Sequence, residues 1–139
     1  MRPSTQFDSR VALPYVPPVT SRLAITLRGM RFHVCVGVLP HEHDVAQPLE
    51  IDVTAWRAPV ARPHARGDVL DYRALYDAAA SVAAGGPLDY LEDVASDVAD
   101  RALAAGDVER VRVAVRKPHV ALAGPLDFAE VVLERERDA

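Results

Sequence analysis

Residues 49 to 56, LEIDVTAW, alternate without a break. Leu49, Ile51, Val53 and Ala55 point one way; Glu50, Asp52, Thr54 and Trp56 point the other. A period of two marks a strand with one buried face. Before it, LAITLRGMRFHVCVGV from Leu23 to Val38 is rich in β-branched and aromatic residues. That composition predicts a long strand, bulged near Gly29. The two strands form a hairpin whose connection is HEHDVAQP, and Pro40 and Pro48 bracket the turn and limit ladder pairing there.

The period then changes. Asp71 is placed to cap a helix through YRALYDAAASVAA, which ends at Gly85 and Gly86. Asp89 is placed to cap a second helix, YLEDVASDVADRALAA. Its Leu91, Val94, Ala95, Val98, Ala102 and Leu103 share one face at helical spacing, and Gly106 stops it. Alternation returns in VERVRVAVRK, where Val111, Val113 and Val115 oppose Arg110, Arg112 and Arg116. DFAEVVLERE supplies a fourth strand. The order ββααββ is that of an α+β domain, an antiparallel sheet with two helices on one face. Its two open edges invite association, and a ring of subunits joined edge to edge into a barrel would close them.

Composition narrows the class. The chain has 139 residues, enough for one compact domain, and a net charge of -4, so no broad basic surface invites nucleic acid. The single cysteine, Cys35, cannot form an internal disulfide and is compatible with a reducing cytoplasm. No apolar run approaches the roughly 20 residues of a membrane helix. Residues 1 to 21 carry four prolines and no sustained periodicity, so they are expected to be an extended, disordered leader. The folded domain is expected from residue 22 to 139, with a loop from 57 to 70.

Four polar residues are candidates for chemistry. GVLPHEH at 37 to 43 sets Glu42 between His41 and His43. Histidines two apart on a strand point to the same side, and zinc accepts imidazole nitrogen. A closed site needs more ligands, however, and His33, His64 and His119 are scattered, so no metal is expected. A solvated turn is the plainer reading of this stretch. Glu92 lies in the first turn of the second helix, where the helix dipole alone would favour a carboxylate. It could also accept two parallel hydrogen bonds from a heterocycle that presents an amino group beside a ring N–H. Lys117 ends the third strand, where truncation should remove little packing. A lysine held near low-dielectric surface can lose its proton and serve as a base. Tyr72 opens the first helix as a packing residue or as a hydroxyl that orients a ligand.

Together these segments resemble the dihydroneopterin aldolase family of pterin enzymes. The matching stretches are LRGMRFHVCVGVLPHE, QPLEIDV, DVLDYRALY, LDYLEDVASDVA, VERVRVAVRKP and, more loosely, LAGPLDFAEVVLER. The resemblance runs from about Leu23 to Glu136. It implies the ββααββ tunnelling fold (T-fold), tetrameric rings stacked into a homo-octamer, and active sites shared between subunits. It implies retro-aldol cleavage of 7,8-dihydroneopterin in folate biosynthesis, with no cofactor, no metal and no Schiff base. Carried onto this chain, Glu92 would grip the pterin's 2-amino group and N3–H. Lys117 would be the general acid and base. Tyr72 of a neighbouring subunit would help reprotonate the intermediate, and Glu42 would hold water and the side-chain hydroxyls. Leu39, Leu70 and Leu91 would line the pocket, partly through backbone groups.

The chain departs from the family pattern in two places. Many members read Gly-Tyr-His-Gly where Val34, Cys35, Val36 and Gly37 stand, so the motif histidine is absent. The Pro-rich loop after the lysine becomes Ala121-Leu122-Ala123-Gly124, which keeps only the glycine. The first change keeps a dihydroneopterin triphosphate epimerase in view. A non-catalytic pterin-binding paralogue is a third reading. Retention of Glu42, Tyr72, Glu92 and Lys117 together argues against it.

Overall fold

The computed structural model describes residues 17, 19–59 and 70–138. Nearly all of the expected leader and most of the expected 57–70 loop lie outside the described residues. Four strands, β1 (Ala24–Val34), β2 (Gln47–Arg57), β3 (Val108–Lys117) and β4 (Ala129–Glu136), form one antiparallel sheet in the order β1-β2-β3-β4. Between β1 and β2 lies a single-turn helix, α1 (Pro40–Asp44). Two longer helices, α2 (Tyr72–Ala83) and α3 (Leu91–Leu103), connect β2 to β3.

The alternation in β2 holds. Leu49, Ile51, Val53 and Ala55 are fully buried against the helices, with Val111, Val113 and Val115 of β3 beside them. The helices contribute Leu75, Ala79, Val82, Val94, Val98 and Ala102. Alanines at so many facing positions let the helices approach the sheet closely while leaving few gaps. Asp71 caps α2 as expected, accepting a hydrogen bond from the Arg73 N–H at 2.9 Å. Asp89 does not cap α3. Tyr90 holds that position without a side-chain cap, and Asp89 turns instead to His43, 3.4 Å away.

β1 is shorter than the sequence suggests, ending at Val34 rather than Val38. Beyond it the chain leaves the sheet to pair with the start of the helical layer. Val36 bridges Leu88 in parallel, Leu88 N–H donates to the Cys35 carbonyl at 2.9 Å, and Gly37 N–H donates to the Leu88 carbonyl at 2.8 Å. Val36 is fully buried here.

The bulge expected near Gly29 is present, as the β1–β2 register shifts between Leu27 and Met30. Gly29 has φ +73°, and its N–H donates to Asp52 at 2.6 Å. Asp52 belongs to the outward row of β2, yet only 3% of it is exposed. Arg116 covers it, with both terminal nitrogens 2.7 Å from the carboxylate oxygens. The same guanidinium reaches Glu50 and, across on β4, Glu130. One arginine thus ties β2, β3 and β4 together at the end of the sheet where β3 terminates. Its hydrogen bonds hold the Asp52 carboxyl below the usual carboxylate range, against the opposing effect of burial.

Candidate active site

Lys117 is the last residue of β3. Strand alternation puts it in the same row as Val111, Val113 and Val115, facing the core rather than the solvent. It is 9% exposed and pairs with Glu42, which is 5% exposed. The expectation that Lys117 carries little packing is therefore wrong. Its alkyl stem extends the apolar row, and its ammonium is in ion-pair and hydrogen-bond contact with Glu42 Oε2.

The Glu42 side of the pair is built locally. HEH lies in α1, not on a strand or in an open turn. At 3.6 residues per turn, His41 and His43 diverge instead of sharing a side. Pro40 occupies the first helical turn, where a missing N–H costs nothing. Glu42 reaches back over that turn to accept from the Leu39 N–H at 3.2 Å, while its own N–H donates to the Leu39 carbonyl at 2.9 Å. Both backbone groups of Leu39 are thereby engaged. Gln47 Nε2 adds a third donor, 3.3 Å from Glu42 Oε2. The Lys117 hydrogen bond depresses the Glu42 carboxyl most strongly. Burial opposes it, and the Leu39 and Gln47 donors assist, so the carboxyl lies below its ordinary range.

A cavity of about 550 Å³ opens beside this pair. Glu42, His41 and Gln47 form one wall; Pro118, His119 and Gly124 form part of the other. That volume falls in the range of small-molecule sites. The altered loop after the lysine contributes Ala121 and Gly124 to its lining. Among the described residues, no group of three or more His, Cys, Asp or Glu side chains could hold a metal ion.

The remaining candidates divide between the two ends of the sheet. The Val36–Leu88 bridge and the His43–Asp89 contact tie the start of α3 to the segment that carries Glu42. Leu91 and Glu92 open α3, so they stand at the Lys117 end; Leu91 packs against the core and Glu92 is exposed. Among the described residues, Glu92 is outside the Glu42–Lys117 hydrogen-bond network. Leu70 is buried and shares a second cavity with Arg57, Gly106 and Asp107, where β2 ends and β3 begins. Tyr72 follows Asp71 of that cavity and is 58% exposed. β3 separates this region from Lys117, and at about 3.3 Å per residue its length is roughly 30 Å. Within one chain, Tyr72 and Leu70 are not brought to Glu42 and Lys117.

The family model for dihydroneopterin aldolase matches residues 25–134. The chain belongs to the dihydroneopterin aldolase family. Dihydroneopterin aldolase 2 of Arabidopsis thaliana is 30% identical over 117 residues, covering 81% of this chain and 89% of the plant protein. The Streptomyces coelicolor dihydroneopterin aldolase is 27% identical over 115 residues, covering 81% of this chain and 97% of that one. Among solved structures, the E. coli dihydroneopterin aldolase in complex with neopterin superposes with a TM-score of 0.68. It is 26% identical and covers 81% of this chain and 97% of the E. coli chain. A Burkholderia dihydroneopterin aldolase bound to guanine shares the fold, with a TM-score of 0.67 at 24% identity over 86% of this chain and 93% of that one. The fold is accordingly the T-fold of this family.

Two features of the site escaped the sequence reading. Gln47 lay at the end of a supposed turn, with nothing local to single it out. Lys117 was recognised as a candidate, but its burial was not, although the alternation of VERVRVAVRK places it on the valine side.

Proposed function

We propose that the chain cleaves 7,8-dihydroneopterin by a metal-independent retro-aldol reaction, giving 6-hydroxymethyl-7,8-dihydropterin and glycolaldehyde in folate biosynthesis. The observation that carries this reading is the buried Glu42–Lys117 pair beside a cavity of about 550 Å³, in a chain of the dihydroneopterin aldolase family.

Glycolaldehyde holds two carbons, so the bond that breaks joins C1′ and C2′ of the substrate side chain. A proton leaves the 2′-hydroxyl, the bonding electrons pass into the C6–N5 imine, and N5 gains a proton. The enol-like intermediate is then protonated at C1′ and N5 gives its proton up. The imine is the electron sink, so the protein's task is orientation and proton transfer. Lys117 is the group for the proton exchanges at the side chain and at N5. Its place at the end of a rigid strand fixes where protons are delivered. Glu42 orients the hydroxyls and a catalytic water. Glu92 accepts from the 2-amino group and N3–H, with Leu39 and Leu91 along the pocket wall.

Tyr72 and Leu70 enter this scheme from a neighbouring subunit of a homo-octamer. The separation of roughly 30 Å along β3 supports this arrangement. A site divided between opposite ends of the sheet is completed when two copies meet.

The test is incubation with dihydroneopterin and with its triphosphate, each with and without chelator, followed by chromatography of the pterins. The expected result is cleavage of dihydroneopterin that survives chelation. Re-addition of glycolaldehyde on the opposite face would yield the C2′ epimer, so the same chromatogram measures any epimerase side activity. Turnover of the triphosphate alone would identify an epimerase. Pterin binding without turnover would identify a non-catalytic paralogue.

A further inference from the structure

We propose that Gln47 is a positioning residue for the Glu42–Lys117 pair, its side-chain amide anchored on the Val36 carbonyl and aiming the Glu42 carboxylate at the lysine. Its catalytic meaning rests on the function proposed above; the geometry that motivates it does not.

The amide nitrogen of Gln47 has two hydrogens and two acceptors within reach. Val36 O is 3.0 Å away and Glu42 Oε2 is 3.3 Å away. The reversed amide would set its oxygen against a carbonyl and a carboxylate, so the surroundings select one orientation. The anchor is itself held. Val36 bridges Leu88, and Leu88 exchanges backbone hydrogen bonds with Cys35 and Gly37 on either side. A continuous path therefore runs from the start of α3 through residues 35 to 37 to Gln47, and from Gln47 to Glu42.

Gly37 completes the seat. Its φ is +122°, and a Cβ there would overlap the Glu42 carboxyl group. The carboxylate lies in the space a side chain would fill, so it is bounded by Gly37 and held by the Gln47 amide. Oε2 is shared between Gln47 and Lys117. When Lys117 turns its proton toward a ligand, Gln47 and the Leu39 N–H are the donors that keep Glu42 in place. Gln47 also lines the cavity, unlike a buried structural amide.

Two variants test this. Gln47→Met keeps the length of the side chain and removes both donors; Gln47→Glu keeps its shape and, when ionised, opposes Glu42. Loss of a hydrogen bond to a charged group predicts a fall in kcat of about ten- to a hundred-fold for Gln47→Met. KM should move by less than about threefold, because Gln47 acts through Glu42. A ¹³C carboxyl titration, with the Glu42 resonance assigned from Glu42→Gln, gives a readout independent of turnover. Glu42 faces Lys117 of β3, with His41 and His43 on its own helix and Asp89 against His43. Those groups persist in both variants, so an upward move of the Glu42 titration reports the lost donor. An unchanged Glu42 titration in both variants overturns the proposal, as does an unchanged kcat in an active enzyme. A wild type that cleaves no dihydroneopterin removes the functional reading alone, and the titration still decides whether Gln47 holds Glu42. If Gln47→Met does not fold, Gln47→Glu supplies the same two measurements.

Discussion

The Glu42–Lys117 pair makes a quantitative prediction about stability. Lys117→Met keeps most of the alkyl stem that follows Val115 along the core-facing row, but leaves the Glu42 carboxylate buried without its main partner. Breaking a buried pair from one side typically costs about 3–5 kcal/mol. Glu42 keeps the Leu39 and Gln47 donors and borders an open cavity, so the lower end applies, about 3 kcal/mol. Glu42→Gln should cost a similar amount. The double variant removes both charges and should cost little more than either single change, giving a coupling energy of about 2 kcal/mol. The assay is urea unfolding of the four proteins at pH 7 and one fixed protomer concentration, since any assembly adds a concentration-dependent contribution.

The pH dependence checks the sign. In the wild type the folded Glu42 carboxyl lies below its unfolded value, so its contribution is present above that value and is lost as pH falls through the folded one. In Lys117→Met the largest depressing cause is gone and burial opposes what the Leu39 and Gln47 donors still supply, so ionised Glu42 loses most of that contribution. The gap between the two proteins should be widest near pH 7 and narrow below about pH 4.5. Additivity within about 0.5 kcal/mol, or a gap that stays constant with pH, would refute a coupled buried pair.

Gly37→Ala should destabilise by about 2 kcal/mol or more, from the positive φ and the overlap with Glu42, and should lower kcat; a neutral outcome in urea unfolding contradicts the tight seat. Arg116→Met leaves Asp52 buried without its main partner and should cost about 3 kcal/mol at pH 7. Since Asp52 contributes above its unfolded value and loses that contribution as pH falls, the penalty should shrink toward pH 3 in acid titrations of stability. Glu92→Gln should weaken neopterin binding about ten- to a hundred-fold by calorimetry, whereas an unchanged Kd would leave Glu92 as a helix-terminus carboxylate only. On the proposed shared site, Lys117→Ala and Tyr72→Phe should each be impaired, yet co-assembled should regain partial activity. Mixed assemblies, verified by mass spectrometry, that remain as inactive as their parents would exclude the shared site.

The periodic parts of the fold were legible because burial follows backbone geometry. LEIDVTAW and VERVRVAVRK alternate because β2 and β3 each have one face under the helices, and Asp71 caps α2 through local chemistry. What was not legible depends on contacts between distant segments. Asp89 satisfies the local rule for a helix cap, but a packing partner, His43, competes for it. HEHDVAQP has the composition of a turn; its short helix is organised by Glu42 folding back on Leu39 and by Lys117, 75 positions further along the chain. Asp52 sits on the row that alternation assigns to solvent, and it is covered by the cross-strand reach of Arg116 together with the Gly29 bulge on β1. Glu42 and Lys117 are each visible as candidates in the sequence and take their roles from the family resemblance, but no pattern shows that they meet.

The position of Lys117 links the fold to the chemistry. A single alternating row on β3 supplies Val111, Val113 and Val115 to the core and then Lys117 to the Glu42 carboxylate. The same backbone that fixes the valines fixes the origin of the lysine side chain. The Arg116 clamp on the opposite face ties that end of β3 to both neighbouring strands, so the origin has little freedom to move. Glu42 lies on a one-turn helix whose shape depends on Leu39, Gln47 and Gly37 rather than on a sheet. The pair therefore joins a rigid partner to one held by a few hydrogen bonds. On the proposed function, that arrangement suits proton transfer, because the origin of the lysine stays fixed while its partner adjusts to the changing charge. If this division is right, substitutions of Gln47 should alter the Glu42 titration and kcat with modest stability changes. Those in the Arg116 clamp should chiefly alter stability.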